Sequence, residues 1–188
     1  MLKKKRLLRQ TLILVMLMVG NVGIASSVFG DTFNFGRYQL NSNLNAYYDS
    51  SVDTYGYAGT YDLARQNWLG ISSKASVYRT YSTSNYHDKY YVGTTATDNY
   101  GLTLPYDVTA TGFVYETGYS SIWKYVTISL YANNMPAASW SSINRAATAT
   151  HEVGHSLKLA HPGNGSERVR AVPSGEQSVM EQGKKIIM

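Results

Sequence analysis

Three of the four histidines in this 188-residue chain lie within the short stretch HEVGHSLKLAH, which begins at His151. A spacing of four places His151 and His155 on one face of a helix, where both imidazoles can bind a single ion. His161 lies six residues beyond His155, so the chain must turn sharply after the helix to bring it back. Three histidines and one open position for water are typical of a catalytic zinc site. Glu152 lies beside this set as a candidate general base.

The length of this pattern separates it from a chance match. H-E-x-x-H alone also occurs in helices that bind no metal. Here His161 extends the pattern, in a chain whose only other histidine is His87. The sequence therefore predicts one catalytic zinc ion with His151, His155 and His161 as its metal ligands and Glu152 as the catalytic residue.

The same stretch resembles the signature of the metzincin zinc endopeptidases, H-E-x-x-H-x-x-G-x-x-H followed by a methionine turn. It is most similar to the matrixins and their short secreted bacterial relatives. Ser178-Val179-Met180 resembles the methionine turn, in which Met180 would form the floor under the zinc; the alternative is an ordinary buried methionine. The resemblance implies an α+β domain with a twisted, mostly parallel mixed sheet, a backing helix and a central zinc-binding helix. It also implies hydrolysis of peptide bonds.

The chain departs from the family pattern in two places. Lys158 stands where the family has glycine, and a non-glycine residue at positive φ costs about 1 kcal/mol, so the turn is expected to be strained or built differently. Only eight residues follow Met180, where the family has a further helix, so a shortened or truncated form is expected. Two alternatives stay open: an inactive member of the family, and a cell-surface binding protein in which a fourth protein ligand closes a structural zinc site.

The first 30 residues have the composition of a targeting segment. Five basic residues precede the apolar run TLILVMLMVGNVGIA, and small residues follow it. This pattern predicts a signal peptide over residues 1–30, cleaved after Ser27 or Gly30, and a secreted, extracellular catalytic domain over 31–188. The alternative is an uncleaved membrane anchor, although the run is short for a membrane span.

Charge and cysteine content limit the partners of the mature domain. Without the five basic residues of the signal peptide, 12 basic and 12 acidic residues remain, so the pI of about 9.3 describes the precursor. No basic patch indicates nucleic acid or stable membrane association after cleavage. The expected partner is a protein or peptide substrate, and the enzyme is expected to be a monomer. The absence of cysteine excludes disulfides and the cysteine-thiolate latency of many matrixins.

Hydrophobic periodicity predicts the elements that position the site. The 17 tyrosines mostly alternate with other residues and are typical of strand surfaces. Strands are predicted over 35–48, 75–81, 89–95, 109–116 and 124–131, and helices over 56–71 and from Ser141 or Ser142 to about Leu157. The resemblance places the strand before the zinc helix, 124–131, at a sheet edge above the cleft. An extended peptide would add there as another strand.

Other polar residues give weaker signals. His87 beside Asp88 could belong to a second, structural zinc site, but no further histidine remains for it, which favours a surface loop. Asp98 and Asn99 are candidate oxygen ligands for Ca²⁺, without a spaced calcium-loop pattern. Gln182 stands where astacin-like relatives have a tyrosine ligand, so none is predicted here.

Overall fold

A computed structural model describes residues 43–71, 76–84, 86–119, 121–161 and 179–180. All of them belong to one compact unit, Thr32–Met188. The predicted signal peptide, the first part of the strand predicted over 35–48, and Gln182 lie outside the described residues. In the part of the chain that is described, no helix is both long and apolar enough to cross a membrane.

The described chain forms a six-stranded mixed sheet with helices, which confirms the α+β class. The strands are β1 Asn43–Tyr48, β2 Ser76–Thr80, β3 Asp88–Gly93, β4 Gly101–Val108, β5 Val114–Glu116 and β6 Tyr125–Tyr131. Their order across the sheet is β2-β1-β3-β6-β4-β5. β1, β2, β3 and β6 run parallel to one another, whereas β4 runs antiparallel to both of its neighbours.

The described chain has three helices and one short 3₁₀ turn; the first two helices connect β1 to β2, and the 3₁₀ turn and the last helix follow β6. They are α1 Ser50–Thr54, α2 Ala58–Trp68, the 3₁₀ turn Ala132–Asn134, and α3 Ser142–Ser156. The short helix α1 was not predicted; the carboxylate of Asp49 caps it by accepting the Ser51 amide at 2.9 Å. The hydroxyl of Ser141 accepts the Asn144 amide at 3.1 Å, which confirms the predicted start of α3.

The core lies between one face of the sheet and helices α2 and α3. Alternate residues of each central strand point into it, as a period of two requires. The indole N–H of Trp68 on α2 donates to the carbonyl of Thr150 on α3 at 2.8 Å. This buried bond fixes the position of α3 along α2, and therefore the position of the histidines that α3 carries. The core includes Leu44, Ala46, Tyr48, Tyr61, Ala64, Trp68, Val126, Ile128, Leu130, Ala149 and Val153.

Strand β4 was missed because Pro105 lies in its middle, and proline disfavours strands other than edge strands. The strand predicted over 109–116 is in fact only the three residues of β5. The carbonyl of Pro105 accepts the Thr117 amide at 2.9 Å, on the side of β4 that faces away from β6. An N–H at position 105 would point to that same side. Its absence in proline therefore removes no bond between β4 and β6.

The prediction that the strand 124–131 forms the sheet edge is wrong. This strand, β6, pairs with β3 on one side and with β4 on the other, so β4 lies between it and the sheet edge. The outer edge of β4 is itself partly covered by β5 and by the bond from Thr117. The hydroxyl of Tyr119 also donates to the carbonyl of Thr103 on this edge.

Asp88, the first residue of β3, carries a buried carboxyl group that predicts a pH dependence of stability. It is 2% exposed, and burial raises its pKa to about 7, although hydrogen bonds from the Val126 amide and Ser156 oppose the rise. An unfolded aspartate titrates near pH 3.9. The folded state therefore binds the proton more tightly, and this contribution to stability is full below about pH 4 and lost as the pH rises through about 7.

We expect Asp88→Asn, which keeps the oxygen that accepts the Val126 amide at 2.9 Å, to reduce this loss of stability. The measurement is the urea midpoint at pH 5 and pH 8. The wild-type midpoint should fall more over this interval than that of the variant. Equal falls in the two proteins would contradict the assignment to Asp88.

Candidate metal centre

Three imidazoles meet at the end of helix α3. The Nε2 atoms of His151 and His161 are 2.9 Å apart, and that of His155 lies 3.1 Å from each of them. Among the described residues, this is the one group of three or more His, Cys, Asp or Glu side chains that could hold a metal ion. The structure therefore brings together the three residues that the sequence predicts as ligands.

Backbone carbonyls fix the orientation of two of these rings. Nδ1 of His151 lies 2.7 Å from the carbonyl oxygen of Val179, and Nδ1 of His155 lies 2.7 Å from that of Leu159. Because a carbonyl oxygen can only accept, each Nδ1 carries the hydrogen and donates it. Each neutral ring therefore directs the lone pair of Nε2 at the centre of the triangle, as outer carbonyls do for metal-binding histidines.

The charge state of the rings fits a metal ion better than a shared proton. Burial lowers the pKa of His155 to about 3, and it also lowers the pKa values of His151 and His161. Neutral imidazoles that face one another at about 3 Å repel through their lone pairs unless a cation lies between them. Tetrahedral zinc, with Zn–N bonds of about 2.0–2.1 Å, separates its ligand nitrogens by roughly 3.3 Å. The group can therefore bind a metal ion.

The turn after α3 is built around Lys158, which delivers the third imidazole. Its φ of 72° is the one positive value at a non-glycine residue in the described parts of the chain. The Leu159 amide donates to the Gly154 carbonyl at 3.0 Å, and the Lys158 amide donates to the His155 carbonyl at 3.0 Å. These are the two bonds of a Schellman motif, in which glycine is the usual left-handed residue. The prediction of a strained turn at Lys158 is confirmed, and the two bonds offset part of its cost.

Val179 and Met180 lie against the helix that carries the ligands. Met180 is 2% exposed, and a Cβ atom added at Gly154 would meet its Sδ atom. The sulfur therefore packs on the helix one residue before His155. The carbonyl of Val179 was not foreseen as part of the site, because a backbone acceptor leaves no signal in residue type.

The close packing at Gly154 predicts the effect of a single methyl group. The Cβ of Gly154→Ala would also lie 2.9 Å from Cζ2 of Trp68, and overpacking of this kind destabilises by about 1–3 kcal/mol. We expect a lower urea midpoint and weaker metal binding. Gly59→Ala is the matched control, since that helical glycine has no neighbour within 4 Å. If both variants were equally stable, Gly154 would not be a point of close packing.

Glu152 is held apart from the three imidazoles by a contact with the sheet. It is 7% exposed, and its Oε2 accepts the hydroxyl of Thr103 on β4 at 2.7 Å. A Cβ added at Gly101 would lie 2.8 Å from Oε1, so the carboxylate packs directly on the β4 backbone. Burial raises its pKa to about 7, although the Thr103 bond opposes the rise. Thr103 and Gly101 were not predicted as part of the site, because they lie on β4, which the sequence pattern did not indicate.

The other polar residues singled out in the sequence do not join this centre. His87 lies in a loop, half-buried, with Nδ1 3.2 Å from the carbonyl oxygen of Ser82. Near Asp98, the side-chain amide of Asn134 donates to the carbonyls of Thr97 and Asn99 at 2.7 Å. These two oxygens are therefore already hydrogen-bonded, and a calcium site stays a prediction.

Comparison of the chain with protein-family models and with curated proteins finds no match. The proposal for its function therefore depends on the chemistry of the metal centre.

Proposed function

We propose that the protein is a secreted zinc endopeptidase, similar to the matrixin branch of the metzincins, that hydrolyses peptide bonds. One observation carries the proposal: the Nε2 atoms of three imidazoles lie within 3.1 Å of one another, and the residue after His151 on the same helix is a buried glutamate. This combination matches an open zinc site with a general base beside it.

Zinc is favoured over other ions by the type of ligand. All three ligand atoms are imidazole nitrogens, and no carboxylate belongs to the described group. Calcium and magnesium prefer oxygen ligands, whereas imidazole suits zinc. Bound zinc supplies Lewis-acid polarisation of a carbonyl group and of a water molecule. His151, His155 and His161 would hold it.

Glu152 supplies the proton transfer in the proposed reaction. Its pKa of about 7 lets the carboxylate accept a proton from the attacking water near neutral pH. The same carboxyl group then gives that proton to the departing amine. The hydroxyl of Thr103, at 2.7 Å, holds the carboxylate in one orientation on β4. The sheet therefore contributes to the proposed mechanism by orienting the general base.

The substrate is proposed to bind as an extended peptide against β4. Gly101 has no side chain, and the Glu152 side chain fills the place where its Cβ would lie, so a peptide paired with this part of β4 would lie near the carboxylate. Backbone hydrogen bonds to a strand hold a peptide with little regard to its sequence. Specificity would then come from side-chain contacts elsewhere in the cleft.

The test is cleavage of casein and of a quenched peptide library by the purified secreted protein, with its metal content measured. We expect one zinc ion per chain, loss of cleavage after chelation, and recovery when zinc is restored. Zinc without cleavage would contradict the endopeptidase and favour an inactive or zinc-stabilised binding protein. A protein without zinc would contradict both the endopeptidase and the zinc-stabilised binding protein.

Secretion has a separate test. The N-terminus of the protein in the culture supernatant is expected at residue 28 or 31, after removal of the signal peptide. A secreted chain that still begins at Met1 would contradict the predicted cleavage, and a chain retained at the membrane would favour the anchor.

A further inference from the structure

The side chain of Lys158 makes contacts that a glycine at this turn could not make. Lys158 is 4% exposed, and its Nζ lies 3.3 Å from the centroid of the Trp123 ring. The ammonium also donates to the carbonyl of Tyr119 at 3.3 Å and to the carbonyl of Ser121. Stacking on an aromatic face and bonds to carbonyl oxygens both stabilise a desolvated cation.

These contacts are notable because lysine is an unfavourable choice at this position. A left-handed residue at the end of a helix is usually glycine, which has no Cβ atom to strain the backbone. Burial of a charged ammonium is costly unless the group is paired or hydrogen-bonded. The contacts of Lys158 with Trp123 and the two carbonyls therefore have to offset both costs, and they tie the turn to the chain between β5 and β6.

A line of hydrogen bonds continues from this segment to the catalytic carboxylate. Lys158 holds the carbonyl of Tyr119, and the hydroxyl of the same tyrosine donates to the carbonyl of Thr103 on β4. The hydroxyl of Thr103 in turn donates to Glu152 at 2.7 Å. Burial, together with the charge of Glu152, raises the pKa of Tyr119 to about 12, so its hydroxyl stays a donor at neutral pH.

We propose that Lys158 is a positioning residue: its ammonium holds the Tyr119 and Ser121 backbone against the outer edge of β4, and through Thr103 it fixes the carboxylate of Glu152. The proposal rests on the proposed role of Glu152 as general base. It assigns to Lys158 a task beyond shaping the turn that delivers His161.

Three substitutions at this position separate the ammonium from the backbone strain. Lys158→Met keeps the length of the side chain and the strain but removes the charge. Lys158→Arg keeps the charge and the stacking on Trp123. Lys158→Gly removes the side chain and the strain together. A role limited to the backbone predicts that the glycine variant is at least as active as the wild type.

We expect Lys158→Met to lower kcat by about 10- to 100-fold, because small displacements of a catalytic group have effects of this size. KM should change by less than about threefold, and one zinc per chain should remain. Lys158→Arg should recover most of the activity. Lys158→Gly should raise the urea midpoint through relief of strain, yet stay as slow as the methionine variant. Tyr119→Phe should also be slow, and adding it to Lys158→Met should have little further effect.

A second measurement does not depend on activity. Hydrogen exchange of the metal-free full chain reports how firmly this segment is held, at the Ser121 amide, which donates to the Gly118 carbonyl, and at the Thr117 amide, which donates to the Pro105 carbonyl on β4, both at 2.9 Å. Exchange at both amides should be faster in Lys158→Met than in the wild type, and close to wild type in Lys158→Arg.

The two proposals fail in different ways. A glycine variant with wild-type kcat, or a methionine variant with unchanged exchange, would overturn the role of Lys158 and leave the endopeptidase intact. Faster exchange at Ser121 without any change at Thr117 would break the proposed connection to β4, and with it the connection to Glu152. A wild type that binds zinc but cleaves nothing would overturn the endopeptidase, and the exchange data alone would then decide whether Lys158 holds this part of β4.

Discussion

Replacement of Glu152 by glutamine is expected to lower kcat by about 10²- to 10⁴-fold, the usual contribution of a general base. The amide has nearly the shape of the carboxylate and keeps an oxygen that can accept the Thr103 hydroxyl, now 2.7 Å from Oε2. It cannot take a proton from water at neutral pH. The measurement is kcat on a quenched peptide together with the zinc content of the same sample, which should stay at one ion per chain.

Asp53→Asn is the matched control for this substitution. It makes the same change from carboxylate to amide on a helix, but Asp53 is exposed on α1 and away from the centre. Full activity is expected in the control. Full activity in Glu152→Gln would show that another group is the base, and loss of zinc in that variant would show that Glu152 is a ligand.

Removal of one ligand has the other large expected effect. His155→Ala should weaken zinc binding by more than the 10- to 100-fold that changes outside the ligand set produce, and should abolish cleavage. Its Nε2 lies 3.1 Å from both other ligand atoms, so two imidazoles would remain, too few for the predicted site. The measurements are zinc content after dialysis and the urea midpoint with and without a chelator.

Chelation should lower the midpoint of the wild type, because a ligand that binds only the folded state stabilises it, and should have little effect on His155→Ala. His87→Ala is the control, since His87 lies outside the ligand group. It should keep its zinc, its activity and the response to chelation. One tightly bound zinc in His155→Ala would mean that the metal lies elsewhere.

The ligand set could be predicted from the sequence because its geometry is local. His155 lies four positions after His151 on the helix, and Ser141 marks where that helix begins, so the pattern alone indicates a shared face. The strands β1, β3 and β6 were also predictable, because their alternating residues face a buried core. These features depend on neighbours along the chain.

The features that escaped prediction depend on pairing across the sheet. β4 was not predicted because Pro105 lies in its middle. Without β4, the resemblance gave no strand pairing that could place β6 inside the sheet. Without β4, neither Thr103 nor Gly101 could be connected with Glu152. The side chain of Lys158 was predicted only as a source of strain, because a positive φ can be inferred from a turn, whereas the position of its ammonium on Trp123 depends on tertiary packing.

The Schellman turn at Lys158 has a consequence for the order of folding. All three ligands lie within eleven consecutive residues, and the turn brings His161 back to the other two. The carbonyl of Leu159 that orients His155 lies in the same stretch. The loop that must close before an ion is captured is therefore short, and its entropic cost is small. The contact between His151 and Val179 spans 28 residues and can form only later. Metal bound by this group during synthesis would thus nucleate the end of α3 and its turn ahead of the sheet.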